Sequence, residues 1–126
     1  MRKLHQVAAA TACAIGALML SGNVLAQEAG AAPKKEVTGK DLAFDRRKGN
    51  CLACHGMPTQ PDAESTGLYG PPLIAMSARF PDKAKLRAQI WDATAANPSS
   101  TMIPYGKHGV LSEKEIDKIT DFVYGL

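Results

Sequence analysis

Cysteine is scarce in this chain of 126 residues, which holds three, an odd number. Cys13 lies in an apolar N-terminal stretch, which leaves Cys51 and Cys54 as one close pair. A small secreted scaffold stapled by several disulfides is thereby excluded. Aromatic residues are also few, three Phe, three Tyr and one Trp, so the core is lean and something besides polypeptide is expected to help fill it. Strand-like alternation of useful length is missing, which argues against a sheet fold. The longest apolar run, Val7–Leu20, covers 14 residues, too short at a helical rise to cross a hydrocarbon core about 30 Å thick. Neither sign of charge dominates, with 15 Lys and Arg against 12 Asp and Glu. No basic stripe interleaved with aromatics appears, so a nucleic-acid partner is not expected. At 45% hydrophobic and 21% charged, the composition excludes collagen, a coiled-coil rod and a mostly disordered chain. The length favours a single domain.

The N-terminus has the form of a secretory signal. Arg2 and Lys3 precede the apolar run, and Val24-Leu25-Ala26 supplies modest side chains for cleavage. Acylation at Cys13 is the rival reading, but most of the apolar run follows that cysteine instead of preceding it. Residues 1–26 are therefore expected to be a signal peptide cleaved near Ala26, with export to the periplasm and no stable membrane insertion. Their removal takes two cations and no acid, so the net charge of +3 falls to +1.

Residues 27–37 contain Ala, Gly, Lys and Pro and read as a flexible lead-in to a domain over 38–126. Thr38–Lys48 suits a short helix, ended by Gly49-Asn50, which both tolerate a left-handed backbone. Gly56–Gly70 holds Pro58, Pro61 and Gly67 and no apolar period, and Gly70-Pro71-Pro72-Leu73 continues it as an extended turn. Asp82–Ala95 predicts a second helix, with Leu86, Ile90, Ala93 and Thr94 at spacings of three and four. Asn97–Val110 is again loop. Ser112-x-x-Glu115 is a capping box, and Ile116, Ile119, Thr120 and Val123 then mark one face of a final helix. The expectation is an all-α domain of three or more helices. Its loops are long enough to be functional, or to be organised by a group that is not polypeptide.

Cys51-Leu52-Ala53-Cys54-His55 supplies that group. It fits C-x-x-C-H, the attachment sequence for c-type haem. Two thiols at this spacing add to the two vinyl groups of one porphyrin, and the adjacent imidazole reaches the iron. A zinc site would need further ligands, and the one other His outside the leader is His108. A thioredoxin-type pair would want a strand before it and a helix after it. A disulfide across two residues would be strained. One covalent haem c is expected, bound through Cys51 and Cys54 with His55 on the iron.

For the sixth ligand Met57 is too close to His55 to reach the other haem face. Met76 suits a core filler. Met102 lies in Thr101-Met102-Ile103-Pro104-Tyr105-Gly106, where proline and glycine can shape a loop that lays a thioether over iron. Met102 is preferred, with Met76, His108 or an open site as the alternatives. A His/Met pair raises the reduction potential and leaves no open position, which suits electron transfer. The other ring nitrogen of His55 needs an acceptor, and the Pro71 carbonyl is the candidate. Arg46, Arg47 and Lys48 either steer an acidic partner or form a solvated helix end.

The haem motif, the Gly-Pro-Pro-Leu turn, the Met loop and the final helix, in this order, resemble the class I cytochromes c over most of residues 38–126. The run Ala43–His55, with Met102–Gly106 ahead of Leu111–Ile116, resembles the SoxX family of monohaem subunits. That resemblance implies the class I cytochrome c fold wrapped around one haem c. In it Cys51 and Cys54 hold haem, His55 and Met102 ligate iron, and Pro71 accepts the His55 proton. It also implies a heterodimer with a SoxA-like cytochrome, a partner that carries the catalytic cysteine of an L-cysteine S-thiosulfotransferase. Such a complex works on a sulfur-carrier protein and passes electrons to a downstream acceptor. The alternative is a free-standing periplasmic cytochrome that shuttles electrons to an oxidase or reductase.

Overall fold

A computed structural model describes residues 35–64 and 66–126; the expected signal peptide with Cys13, and the lead-in up to residue 34, lie outside the described residues. Five α-helices and one 3₁₀ turn make up the regular structure, and no strand occurs among the described residues. The helices are α1 (Gly39–Phe44), α2 (Met76–Arg79), α3 (Lys83–Trp91), α4 (Ala93–Ala96) and α5 (Glu113–Tyr124), with the 3₁₀ turn at Cys51–Ala53. The all-α expectation holds.

Helix α5 is the spine, packed by α1, α2 and α3. Its capping box forms as read from the sequence. The Ser112 side chain accepts from Glu115 N–H, and the Glu115 carboxylate accepts from Ser112 N–H at 2.8 Å. Ile116, Ile119, Thr120 and Val123 are buried, and each fully buried aliphatic side chain contributes roughly 1.5–3 kcal/mol. The buried Thr120 hydroxyl donates to Ile116 O at 2.7 Å, so its polarity is satisfied. At Gly39 a Cβ would overlap the Lys118 carbonyl and stand 2.9 Å from Phe122 Cβ, so glycine lets α1 and α5 touch backbone to backbone. Phe44 and Phe122 close this contact edge to face, with ring centroids 6.2 Å apart.

Cations from the rest of the domain meet the acids of α5. Lys83 pairs with Asp121 at 2.7 Å, Arg87 with Asp117 at 2.6 Å and Glu113 at 3.1 Å, and Lys48 with Glu115 at 2.7 Å. The Lys48 ammonium, with the Ser112 cap, holds the Glu115 carboxyl down to about 2. Exposed pairs of this kind contribute up to about 1 kcal/mol each, so they set register more than stability.

Three local readings differ from the structure. Helix α1 ends at Phe44 rather than Lys48, because Asp45 leaves helical geometry while its N–H closes on Asp41 O. Arg46, Arg47 and Lys48 thus lie beyond the helix, and of Gly49-Asn50 only Asn50 takes the left-handed backbone, at φ 47. Helix α2 was not foreseen, since its N-cap Ala75 sits at φ 50, which costs a non-glycine residue roughly 1–2 kcal/mol. The expected Asp82–Ala95 helix is two helices, broken at Asp92, where φ is −153.

Candidate cofactor-binding site

A cavity of about 600 Å³ opens between the Cys51–His55 segment, the Tyr69–Leu73 turn, α2, α3 and the Asn97–Tyr105 loop, with Ile119 and Val123 of α5 also in its wall. Cofactor sites span about 300–1,000 Å³. Cys51, Cys54, His55, Pro71 and Met102 all line it, as does Met76. Met57 is buried in the core and takes no part in the lining, and His108 is exposed and also outside it.

Asn50 turns the chain into the 3₁₀ segment, in which Ala53 N–H donates to Asn50 O at 3.1 Å and His55 N–H to Cys51 O at 2.9 Å. This tight winding delivers Cys51, Cys54 and His55 to one cavity. No disulfide joins the two cysteines. Burial pushes the Cys51 thiol up to about 11, the reverse of the depressed values that mark reactive redox cysteines.

His55 Nδ1 lies 2.6 Å from Pro71 O. A carbonyl only accepts, so the proton sits on Nδ1 and Nε2 keeps the lone pair a metal needs. The imidazole also lies against the backbone of Gly70, whose Cβ, if present, would stand 2.7 Å from Nδ1 and 2.9 Å from Nε2. Gly70 N–H donates to Cys54 O and Gly67 N–H to Leu52 O, at 2.8 and 2.7 Å, which binds this turn to the Cys-x-x-Cys segment. Arg79 Nη1 donates to Pro72 O at 2.8 Å and to Met76 Sδ at 3.3 Å. Gly70 and Arg79 were not singled out from sequence. A glycine directly ahead of a Pro-Pro pair was the available signal for the first, and Arg79 had none. Gly70→Ala is expected to displace the imidazole and to lower haem incorporation several-fold relative to the parent, read as the ratio of Soret to protein absorbance. Incorporation at the parental level would show that the turn yields without cost.

Met102 is half-buried on its loop, and its N–H donates to Ser100 Oγ at 3.3 Å. Tyr105, a third wall residue missed from sequence, is buried and its hydroxyl donates to the Gly49 carbonyl. That bond joins the Met loop to the segment that leads into Cys51. Burial raises the Tyr105 phenol to about 12, so it remains a donor at any ordinary pH.

The chain shares its fold with a chain of SoxXA. The crystal structure of SoxXA from P. pantotrophus superposes with a TM-score of 0.62 and 24% identity, covering 68% of this chain and 77% of that one. An uncharacterized lipoprotein of Aquifex aeolicus (strain VF5) is 32% identical over 78 residues, 62% of this chain. The match covers 37% of that relative's length. No protein-family model matches the chain.

The donor set fits haem better than a bare ion. No cluster of three or more His, Cys, Asp and Glu able to hold a metal ion occurs among the described residues. What converges instead is two thiols, an imidazole with its Nδ1 proton engaged, and the thioethers of Met76 and Met102, on a cavity walled by Leu73, Leu86, Ile90, Leu111, Ile119 and Val123. A flat apolar macrocycle with a central metal suits such walls. The wall segments are also nearly free of charge. Residues 65–78 and 93–106 contain no Asp, Glu, Lys or Arg, and Arg79 is the one charged side chain of the lining. Exposed Tyr69 and Ile103 belong to it as well. Arg46, Arg47 and Lys48 do not reach the cavity, and the last two pair with Asp45 and Glu115 at 3.5 and 2.7 Å. No helix among the described residues is long and apolar enough to cross a membrane.

Proposed function

We propose that this protein is a monohaem c-type cytochrome and the SoxX-like electron-accepting subunit of a periplasmic L-cysteine S-thiosulfotransferase. The observation that carries the reading is the C-x-x-C-H segment wound into the wall of an apolar cavity, with His55 already oriented by Pro71. Cys51 and Cys54 would hold haem through thioethers, and His55 Nε2 and Met102 Sδ would ligate its iron. Bound there, haem supplies a one-electron couple, raised in potential by a Met/His ligand pair. Pro71 keeps the proton on His55 Nδ1, so the ligating nitrogen stays basic and the ring is held to the turn. The apolar walls exclude water from the couple, and Tyr105 holds the Met loop to the segment ahead of Cys51.

The SoxA-like partner follows from the fold shared with a SoxXA chain and from the SoxX-like runs in the sequence. In the proposed reaction the terminal sulfur of thiosulfate bonds to the sulfur of a carrier-protein cysteine. The thiol proton and two electrons leave, and the electrons pass through this subunit one at a time to a downstream acceptor. Outside the leader this chain has no cysteine beyond the Cys51–Cys54 pair, so the catalytic cysteine belongs on the partner. The signal-like N-terminus supports the periplasmic assignment, as does the name lipoprotein carried by the Aquifex relative.

Purified mature protein mixed with a SoxA-type cytochrome and a cysteine-bearing carrier tests the proposal. Thiosulfate should reduce this haem only when both partners are present, and a stable heterodimer should elute on gel filtration. Equal reduction by unrelated donors without a stable complex would instead identify a free-standing shuttle.

A further inference from the structure

Asp92 occupies an unusual place. It ends α3 and starts α4 in an extended conformation, and its carboxylate sends one oxygen to each stem of the loop that carries Met102. Oδ1 accepts from Thr94 N–H at 3.0 Å and from the Thr94 hydroxyl, which fixes the start of α4 and hence the stem that enters the loop at Asn97. Oδ2 accepts from Lys107 Nζ at 2.9 Å, just past the other stem. The neighbouring Trp91 carbonyl accepts from Gly106 N–H at 3.1 Å and Lys107 N–H at 3.3 Å. At Gly106 a Cβ would overlap the Trp91 ring, so the returning stem lies flat on the indole, which Arg87 covers with its guanidinium carbon 5.7 Å from the ring. The Asp92 side chain is 12% exposed. Between the two stems residues 93–106 offer no charge of their own.

We infer that Asp92 is the positioning residue of the Met102 loop, a clasp whose two oxygens hold the stems together and so keep the thioether over the cavity. The inference rests on the proposed reading of Met102 as distal ligand. Its physical basis is loop closure. A ligand on a loop competes with exogenous ligands in proportion to the fraction of time the loop is closed, and a charge-assisted bond between the stems raises that fraction. Lys107 and Thr94 hold the Asp92 carboxyl at about 2, so the clasp is charged at neutral pH.

The haem-loaded protein tests this with Asp92→Asn, Lys107→Ala and the double variant. Asparagine still caps α4, so Asp92→Asn removes the charge toward Lys107 and spares the helix start. Two quantities are read: hydrogen exchange of Ser99–Tyr105 against Ile116–Val123, and the affinity of the ferric protein for imidazole. Each single variant should speed exchange in Ser99–Tyr105 about ten-fold and tighten imidazole binding about ten-fold, the order of one charge-assisted hydrogen bond. The double variant should go no further, Lys107→Arg should restore both quantities, and exchange in α5 should be unchanged. Unaltered exchange in Ser99–Tyr105, or equal acceleration in α5, overturns the clasp. Faster loop exchange with unchanged imidazole affinity overturns its role toward a ligand. If Met102→Ala then keeps the sulfur-to-iron charge-transfer band, the fault lies in the distal-ligand reading; if the band is lost, it lies in the clasp.

Discussion

On the proposed reading, haem is expected to stay with the polypeptide through acid-acetone extraction when the chain is matured in a host that attaches haem c, and Cys51→Ala with Cys54→Ala is expected to abolish that retention. One haem per chain is expected, with two saturated vinyl positions in the pyridine haemochrome spectrum and peroxidase stain retained on a denaturing gel. Each single cysteine variant should leave one thioether and shift the haemochrome band to the position of one free vinyl. The geometry behind this is local, since the 3₁₀ winding from Cys51 to Ala53 brings both thiols to one cavity. The double variant should also lose far-UV helical signal or become protease-sensitive. Seven aromatic residues make a lean core, and without haem the side chains lining a cavity of about 600 Å³ lose the dispersion contacts of a packed interior. Haem extracted freely from the parent protein would refute the covalent assignment.

Met102→His is expected to keep a low-spin iron while the reduction potential drops by a few tenths of a volt, inside the range of about 0.8 V that axial ligands span. Met102→Ala should remove the sulfur-to-iron charge-transfer band of the oxidised protein, and Met76→Ala should leave it in place. Both thioethers line the cavity, so the choice between them rests on what else each sulfur does. Met76 is 2% exposed at the start of α2, and its Sδ already accepts from Arg79 Nη1 at 3.3 Å. Met102 is half-buried on a loop whose uncharged residues continue into the cavity wall. The reverse pattern, with the band kept in Met102→Ala and lost in Met76→Ala, would move the distal ligand to α2.

The readings that came through best were those whose causes lie within about four residues. The Ser112–Glu115 capping box and the face Ile116–Ile119–Thr120–Val123 are helix-local, and α5 starts where they place it. The C-x-x-C-H spacing is likewise local, and its two thiols and imidazole line one cavity. The failures were also local in appearance. Ala93 and Thr94 continue the helical spacing of Leu86 and Ile90, so nothing in that pattern marks a break at Asp92.

Sequence alone determined the helical class, the position of the last helix, the thiol pair with its adjacent imidazole, and a methionine on a loop bounded by proline and glycine. Tertiary structure decided how these meet. It ended α1 at Phe44, split the Asp82–Ala95 segment, set Gly70 against the His55 ring, and joined Tyr105 to Gly49 across 56 positions and Asp92 to Lys107 across 15. The reason is that a helix turn or a capping box is selected by neighbours a few bonds away. A carboxylate that holds two loop stems, or a glycine that admits an imidazole, is selected by groups the chain brings close only after it has folded.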